Sequence, residues 1–217
     1  MIDHTLLLPD ATSADFERHF AEAIEHSFFA VCIPPFFVPL AAKALKKTPV
    51  KICTVVGFAN GYNMAATKVF ETKHAFIQGA HEIDMVINIA ALKSGDHAAV
   101  LDDIRSVVRA AHGHTVKVII ETYYLTREEK IAACELSMKA GAHFVKTSTG
   151  FAKGGATPED VALMAQIVGG KLGVKASGGI HDRATAEKMI SLGATRIGTS
   201  HGVSIVTGQS LTSTSQY

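Results

Sequence analysis

Short apolar runs alternate with amphipathic stretches along the chain, and this alternation is the feature that most constrains its fold. The apolar runs lack an in/out alternation of polar residues, which is typical of parallel strands buried on both faces. They predict eight strands, at 2–5, 29–33, 50–58, 82–89, 115–121, 143–146, a run holding Lys175, and 194–198. Helical spacing predicts helices at 13–26, 38–47, 64–78, 96–111, 126–139, 157–168 and 182–191.

These alternating units favour a single-domain (β/α)8 barrel of the α/β class. The chain has 217 residues, which is close to the lower limit of ~200 for such barrels. A doubly wound sheet is the alternative, but it would carry a GxGxxG turn after its first strand, and the sequence has none. We expect the barrel at residues 1–207 and a polar tail at 208–217.

Composition excludes several classes of protein. The formal net charge of +1 gives no reason to expect binding to nucleic acid or to an anionic membrane. No apolar run approaches the ~20 residues of a membrane span, and the N-terminus lacks the pattern of a signal peptide. Cys32, Cys53 and Cys134 are odd in number and widely spaced, which predicts reduced thiols in a cytoplasmic protein.

Two lysines stand where buried strands should be apolar. Lys146 follows Phe144 and Val145, and Lys175 follows Val174; each lysine precedes small hydroxylic residues and glycine. A charged side chain at such a place either reaches the rim of the fold or has a chemical role. The two lysines lie about 30 residues apart, the length of one βαβ unit, so they occupy neighbouring strands.

Neighbouring lysines that both point into the barrel can activate one another. At a separation of ~5 Å and an effective dielectric constant of about 20, their repulsion is about 3 kcal/mol, or about two pKa units. We therefore expect Lys146 to reach the neutral amine form that a nucleophile requires. Asp84, an acid inside an apolar strand, is predicted to hold the other lysine charged and to pass protons.

Other polar residues fall on or near the predicted strand ends. Asp3 either satisfies backbone amides or supports Lys175, and Thr5 and Thr147 are candidates for the surroundings of the lysines. Cys32 is interpreted as a small buried apolar side chain. Glu121 could pair with either lysine. The 11 histidines are scattered and indicate no metal site.

Glycines follow the last two predicted strands. Gly178 and Gly179 end the seventh strand, and Gly198 and Ser200 lie at the end of the eighth. Many barrels bind phosphate at this position through backbone amides. We predict a phosphate site there and include Gly150, which closes the loop after Lys146.

Several motifs in the sequence resemble those of the deoxyribose-phosphate aldolase family, whose members are class I enzymes that work through a Schiff base. The motifs are Lys146-Thr-Ser-Thr-Gly150, Val174-Lys-Ala-Ser-Gly-Gly179, Glu82-Ile-Asp-Met-Val86, Ile2-Asp-His-Thr-Leu-Leu7, Ala30-Val-Cys32, Val55-Val-Gly-Phe58 and Arg196-Ile-Gly-Thr-Ser200. The resemblance runs from the first strand to the last. It implies the reversible cleavage of 2-deoxy-D-ribose 5-phosphate into D-glyceraldehyde 3-phosphate and acetaldehyde.

The resemblance also implies roles for particular residues. Lys146 would form the Schiff base, and Asp84 and Lys175 would donate and accept protons. In some family members a C-terminal tyrosine folds over the site, and this chain ends in Tyr217. The expected partners are a phosphorylated sugar and aldehydes, with no metal or organic cofactor, and a homodimer is left open.

The chain departs from the family pattern at several places. It lacks much of the usual N-terminal helix, and the lysine that commonly precedes Pro9 is absent. Ala59 stands where proline is common, and Phe151 stands where some members have lysine. These departures concern stability and loop shape more than the catalytic residues.

Three other functions remain open from the sequence. They are a metal-dependent aldolase or isomerase, a transaldolase-like Schiff-base enzyme, and an inactive barrel that only binds sugar phosphates. The presence of Lys146, Lys175 and Asp84 together argues against the inactive barrel.

Overall fold

A computed structural model of the chain describes residues 1–208 and contains a closed barrel of eight parallel strands. The strands are β1 (Ile2–Thr5), β2 (Ala30–Ile33), β3 (Lys51–Val56), β4 (Glu82–Val86), β5 (Thr115–Ile119), β6 (Phe144–Lys146), β7 (Gly173–Ser177) and β8 (Arg196–Thr199). Each strand pairs with its neighbours in sequence, and β8 pairs with β1. The predicted (β/α)8 barrel is confirmed.

Helices follow the strands and surround the barrel. They are α1 (Ser13–Glu25), α2 (Val38–Ala44), α3 (Ala65–Ile77), α4 (Ile89–Lys93), α5 (His97–Ala110), α6 (Arg127–Ala140), α7 (Pro158–Val168), α8 (Arg183–Ser191) and α9 (Gly202–Thr207). Short 3-10 turns lie at Pro35–Phe37 and Thr122–Tyr124. Of the helices that the structure describes, none is long and apolar enough to cross a membrane.

Side chains that cap the helices explain where several of them begin. Thr12 and Asp15 form a reciprocal capping box at α1, and Thr126 and Glu129 form another at α6. Thr157 caps α7, which has proline at its first position. These caps satisfy backbone N–H groups that have no partner within the helix, so the helix starts are encoded locally.

Two short helices were not predicted. The fourth strand ends at Val86 rather than at 89, because Asn88 accepts a hydrogen bond from the Ala91 N–H (3.1 Å) and starts α4. After β8, α9 has six residues and opens on a glycine. Neither helix is long enough for its apolar residues to show a helical period.

The strands bury two faces of different character. One face, with side chains such as Val31, Ile83 and Val118, packs against the helices in the main hydrophobic core. The opposite face holds a small apolar cluster of Leu7, Ala30, Cys32, Cys53 and Val55 on the side of β1 to β3. The remaining interior of the barrel is charged, and this is where the candidate site lies.

A buried ion pair joins two helices to the end of β4. The Lys68 ammonium on α3 donates to Asp103 on α5 at 2.5 Å and to the Val86 carbonyl at 2.8 Å. Lys68 is completely buried, and burial raises the pKa of Asp103 despite the lysine beside it. Removal of one partner would therefore leave the other charge without compensation in a dry environment.

We expect Lys68→Met to lower the free energy of unfolding by about 3–5 kcal/mol, because Asp103 is then buried without its partner. Urea denaturation measures this change. Lys68→Met with Asp103→Leu should lose less, since no unpaired charge remains. Lys93→Met, which breaks the exposed pair with Glu129, is the matched control and should cost about 1 kcal/mol or less. Equal losses for the Lys68 and Lys93 variants would contradict this account.

Candidate active site

Lys146 and Lys175 are partners on neighbouring strands. Lys146 is the last residue of β6, and its Cα pairs in register with that of Lys175 on β7. Both side chains are buried within the barrel. The prediction that the two lysines occupy adjacent strands is confirmed.

The Asp84 carboxylate lies between the two lysines. Its Oδ2 accepts a hydrogen bond from Lys146 Nζ and another from Lys175 Nζ, each at 2.8 Å. The carboxylate is completely buried, so it interacts with both ammonium groups with little screening by water. The structure thus brings together the three residues that the sequence nominated for catalysis.

Asp3 supports Lys175 from the neighbouring side of the barrel. Its Oδ2 accepts from Lys175 Nζ at 2.5 Å, and its Oδ1 accepts from the Arg196 guanidinium at 2.8 Å. Burial opposes ionisation, but Lys175, Lys117 and Arg196 outweigh it and lower the pKa of Asp3 to about 2. Of its two sequence interpretations, the one as partner of Lys175 matches these contacts.

Lys117 on β5 is a third lysine in the barrel interior, and sequence reasoning did not assign it a role. Its Nζ donates to Asp84 Oδ1 at 2.8 Å, contacts Glu82 at 2.7 Å and lies 3.2 Å from Cys53 Sγ. The sequence carried a signal for it, since Lys117 stands between Val116 and Val118 in an apolar strand. No loop of hydroxylic residues and glycine follows Lys117, and such a loop was what singled out Lys146.

Glu82 and Arg196 complete the network. Both residues begin their strands, and the Arg196 guanidinium lies 3.1 Å from the Glu82 carboxylate. The guanidinium also stacks 3.7 Å from the centre of the Phe29 ring. Arg196 is thereby held by two carboxylates and an aromatic face, a setting that suits its planar, delocalised charge.

The charges of this network do not balance. Among the described residues it joins three carboxylates to four cationic side chains: Asp3, Glu82 and Asp84 with Lys117, Lys146, Lys175 and Arg196. Within residues 1–208, Lys146 forms one ion pair of this network, whereas Lys175 forms two and Lys117 forms three. Lys146 is therefore the cation whose charge the network supports least.

The carboxylates fix the charge states of the other members. Burial alone would raise the pKa of Asp84, but Lys117, Lys146 and Lys175 outweigh it and hold that pKa well below the usual range. Burial also works against the charge of Lys175, yet Asp3 and Asp84 outweigh it and raise the pKa of this ammonium. Asp84 is thus ionised and Lys175 charged in the resting site.

A cavity of about 440 Å³ opens above the network at the carboxyl ends of the strands. Lys146 lines it, and so do Thr5 and all five residues predicted to bind phosphate: Gly150, Gly178, Gly179, Gly198 and Ser200. The predicted catalytic lysine and the predicted phosphate site therefore share one cavity. His181 lines the same cavity and its ring contacts that of His201, although the sequence gave no reason to select either residue.

Two of the glycines are required for different physical reasons. Gly179 has φ +75°, in the left-handed region, while an added Cβ there would meet nothing within 4 Å. Gly198 lacks that constraint, but a Cβ at this position would lie 2.8 Å from Lys175 Cε. Gly179 thus shapes the turn, and Gly198 leaves room for the Lys175 side chain.

The other predicted residues lie around this centre. Thr147 Oγ1 donates to the Ser177 carbonyl (3.0 Å) and accepts from the Ser177 N–H (3.0 Å), which ties β6 to β7. Thr5 Oγ1 donates to the Asp3 carbonyl at 2.9 Å. Tyr217 falls outside the described residues, as does the predicted tail except for Gly208.

For Cys32 and Glu121, the structure shows contacts that were not predicted from the sequence. Cys32 is completely buried in the small apolar cluster, as predicted. The neighbouring Cys53 thiol outweighs the effect of burial, and with the Lys175 charge it lowers the pKa of Cys32 to about 7. The Glu121 carboxylate accepts from the Thr149 N–H (3.1 Å) and hydroxyl, rather than pairing with either lysine.

Among the described residues, three groups of side chains have ligand atoms close enough together for a metal ion. They are His4–His19–Glu22, Cys32–Cys53–Asp84 and Asp3–Cys53–Glu82. In the last two groups the carboxylates already contact Lys117, Lys175 or Arg196. Protein cations therefore neutralise these carboxylates, and a metal ion would have to displace them.

Fold and site together indicate a barrel enzyme of the aldolase class, with a lysine amine in the cavity at the strand ends. A profile of the DeoC/LacD family aldolases matches residues 1–207. The chain belongs to this family.

Named relatives and solved structures agree with this assignment. A deoxyribose-phosphate aldolase of Geobacillus sp. is 58% identical over 214 residues, covering 98% of this chain and 96% of the relative. A tetrameric deoxyribose phosphate aldolase of Aeropyrum pernix is 33% identical, with a TM-score of 0.89 over 95% of this chain and 88% of that one. A structure from Coccidioides immitis is 43% identical, with a TM-score of 0.94 over 95% and 83%.

The network predicts a specific effect of removing Lys117. In Lys117→Met, Asp84 loses the strongest of the charges that lower its pKa, so that pKa should rise. We therefore expect the acid limb of kcat/KM to move to higher pH. A pH profile of kcat/KM for deoxyribose 5-phosphate measures the shift, with circular dichroism to verify folding.

Lys93→Met is again the matched control, because Lys93 forms an exposed pair with Glu129 away from the barrel interior. Its pH profile should coincide with that of the unchanged protein. An unshifted acid limb in a folded Lys117→Met protein would show that Lys117 does not govern the ionisation of Asp84.

Proposed function

We propose that the chain cleaves 2-deoxy-D-ribose 5-phosphate reversibly into D-glyceraldehyde 3-phosphate and acetaldehyde, through an imine formed on Lys146. One observation carries the assignment of the nucleophile. Of the three lysines that contact Asp84, Lys146 lines the cavity, and Lys117 and Lys175 are buried around the carboxylate. A substrate in the cavity therefore meets the Lys146 amine first.

Lys146 has fewer ion-pair partners in the network than Lys117 or Lys175. Loss of its proton disrupts one ion pair and leaves three cations facing three carboxylates. Loss of the Lys175 proton would disrupt two ion pairs in the same dry interior. The repulsion by Lys175 that the sequence suggested acts in the same direction, and it remains a prediction.

The imine forms in two steps. The Lys146 amine attacks C1 of the open-chain sugar to give a carbinolamine. Lys175 then donates a proton to the departing hydroxyl, water leaves, and the protonated imine remains. Asp84 Oδ2, which contacts both nitrogens at 2.8 Å, holds the donor beside the nucleophile.

The imine serves as the electron sink for cleavage. Lys175, now a neutral amine, takes the proton of the C3 hydroxyl, directly or through water, while Asp84 stabilises the returning charge. The C2–C3 electron pair moves into the enamine, and glyceraldehyde 3-phosphate departs. Protonation of the enamine at C2 and hydrolysis release acetaldehyde and restore the Lys146 amine.

The glycine-lined end of the cavity holds the 5-phosphate in this proposal. Backbone N–H groups at Gly150, Gly178, Gly179 and Gly198, with the Ser200 hydroxyl, supply donors without bulky side chains. The cavity volume of about 440 Å³ falls within the range of small-ligand sites. Phosphate binding at this end and imine formation on Lys146 at the other end would together fix the position of both ends of the sugar.

We also propose that the chain works in the cytoplasm and as a homodimer. Cys32, Cys53 and Cys134 are free thiols, which suits a reducing compartment. Phe70 and Ile77 on α3 expose large apolar side chains, which a second copy could cover. Light scattering coupled to gel filtration gives the mass in solution, and a monomeric mass would refute the dimer.

Borohydride added with acetaldehyde should convert the Lys146 amine to an ethylamine, because it reduces the imine that forms there. Peptide mass spectrometry locates the adduct. Lys146→Arg has no neutral amine at accessible pH, so it should form no adduct and release no acetaldehyde. An ethyl group on a lysine other than Lys146 would refute this mechanism. A three-carbon adduct, formed when a ketose replaces acetaldehyde in the same experiment, would also refute it.

Phosphate recognition can be tested at Gly179. A leucine there has space but would crowd the cavity mouth and strain the left-handed turn. We expect Gly179→Leu to raise KM for deoxyribose 5-phosphate at least tenfold, with a much smaller effect on free 2-deoxyribose. Steady-state kinetics on both sugars measure the difference, and equal losses on the two substrates would refute a phosphate-specific role.

A further inference from the structure

Cys32 and Cys53 are neighbours across two strands of the barrel. Cys32 lies on β2 and Cys53 on β3, and their Cα atoms are partners in the register of the two strands. Both side chains belong to the small apolar cluster that faces the barrel interior. The two sulfur atoms and an Asp84 carboxylate oxygen all lie within 4.8 Å of one another. The proposed reaction uses neither thiol.

The backbone geometry suits a disulfide between these two residues. Neighbouring strands lie about 4.7–4.9 Å apart, and bridged cysteines have Cα separations of about 4.4–6.8 Å. The sulfur atoms of Cys32 and Cys53 already lie within 4.8 Å of each other. A disulfide therefore requires rotation of the two side chains and only a small approach of β2 and β3.

The two thiols differ in the chemistry that their surroundings favour. The hydrogen bond from Cys53, helped by the Lys175 charge, outweighs burial and lowers the pKa of Cys32 to about 7. Burial, the bond to Cys32 and the Asp84 charge raise the pKa of Cys53 well above its ordinary value. Oxidants attack the thiolate form of cysteine in preference to the thiol. Near neutral pH, Cys32 is thus the member of the pair that reacts first, and Cys53 stays protonated beside it.

One side chain separates this pair from the open cavity. Leu7 packs in the same apolar cluster as Cys32 and also lines the cavity of about 440 Å³. Leu7 and Val55, another member of the cluster, line a second cavity of about 180 Å³. Hydrogen peroxide is little larger than water, so displacement of Leu7 gives it a path to a thiol that is itself completely buried.

We propose that hydroperoxides entering from the cavity join Cys32 to Cys53 in a reversible disulfide, and that this bond slows the reaction at Lys146 by detaching Cys53 from the ion network. The effect on the reaction rests on the proposed function, whereas the bond itself does not.

The disulfide forms in two balanced steps. The Cys32 thiolate attacks one peroxide oxygen, the O–O bond breaks and hydroxide leaves, so Cys32 is oxidised to a sulfenic acid and the peroxide is reduced. The Cys53 sulfur then attacks the Cys32 sulfur, and the S–O bond breaks. The hydroxyl group leaves with the Cys53 proton as water.

Bond formation changes the contacts of Asp84. In the reduced protein, Cys53 Sγ lies 3.1 Å from Asp84 Oδ1 and 3.2 Å from Lys117 Nζ. A sulfur atom bonded to Cys32 moves towards β2 and has no hydrogen to donate. Asp84 then loses one hydrogen bond while it must still hold the two lysines at Oδ2. Loss of one hydrogen bond to a charged group is enough to slow a reaction by about tenfold.

Peptide mass spectrometry under non-reducing conditions tests for the bond without turnover. Trypsin places Cys32 and Cys53 on separate peptides, because four lysines lie between them. We expect hydrogen peroxide, at a slightly alkaline pH where most of Cys32 is thiolate, to link these peptides. Dithiothreitol should separate them again. Sulfinic acid on Cys32 without a linked peptide, or no oxidation of either thiol, would overturn the proposal.

Release of acetaldehyde from deoxyribose 5-phosphate measures the effect on the site. The linked protein should be about tenfold slower, and dithiothreitol should restore the rate. A linked protein with an unchanged rate would overturn the inferred coupling to the ion network. A rate that falls without a linked peptide would overturn it too, because the loss would then come from oxidation elsewhere.

Cysteine variants identify the thiols that are required. Cys134 on α6 is the matched control, because it is a buried thiol whose pKa burial raises to about 12. Cys134→Ser should keep both the linked peptide and the reversible loss of rate. Cys53→Ala lacks the second thiol, so Cys32 should proceed to sulfinic acid, and its loss of rate relative to the untreated variant should resist dithiothreitol. A reversible loss of the same size in Cys53→Ala would overturn the role of Cys53.

Leu7→Ala tests the path from the cavity. Removal of this side chain opens the apolar cluster to the cavity, so the linked peptide should form faster than in the unchanged protein. Leu8→Ala is the matched control, because Leu8 lines the cavity but lies outside the cluster, and its rate of linkage should be unchanged. Equal rates of linkage in Leu7→Ala and Leu8→Ala would overturn entry from the cavity.

Discussion

The contact of one buried carboxylate with three ammonium groups determines most of this site. Asp84 is completely buried, so its charge is tolerable only because Lys117 contacts Oδ1 and Lys146 and Lys175 contact Oδ2. These lysines come from β5, β6 and β7, three consecutive strands that follow the strand of Asp84. The curvature of a closed barrel lets four neighbouring strands aim at one point, which a flat sheet could not do.

The barrel interior is divided between two kinds of surface. The small side chains of Ala30, Cys32 and Cys53 fill the side formed by β2 and β3, and the ion network fills the rest. Cys53 lies at the boundary, because its thiol contacts both Asp84 (3.1 Å) and Lys117 (3.2 Å). Such a buried setting strengthens each charge interaction, because little water is present to screen it.

The barrel and the candidate site could be predicted because both leave simple patterns in the sequence. The strands are apolar runs, and the site residues are charged residues that interrupt those runs. Continuous apolar runs indicated buried parallel strands, and Lys146, Lys175 and Asp84 violated those runs at places where chemistry was plausible. Lys117 violated the same pattern, but its partners Asp84 and Glu82 are 33 and 35 positions away in the chain, and only the pairing of β4 with β5 brings them together. The helices α4 and α9 are too short to show a period, and the contact between the two histidines depends on how two loops meet.

The two ends of the cavity are linked through Gly198. An added Cβ there would approach Lys175 Cε to 2.8 Å and Ser177 Cβ to 3.0 Å, whereas one at Gly179 would meet nothing within 4 Å. Gly198 therefore leaves room for the proton donor while its backbone faces the proposed phosphate site. In the proposed reaction the end of β8 thus serves both substrate binding and proton transfer, so a change at Gly198 cannot isolate either one. Gly179, which lies outside the ion network, is the glycine at which phosphate binding can be altered separately.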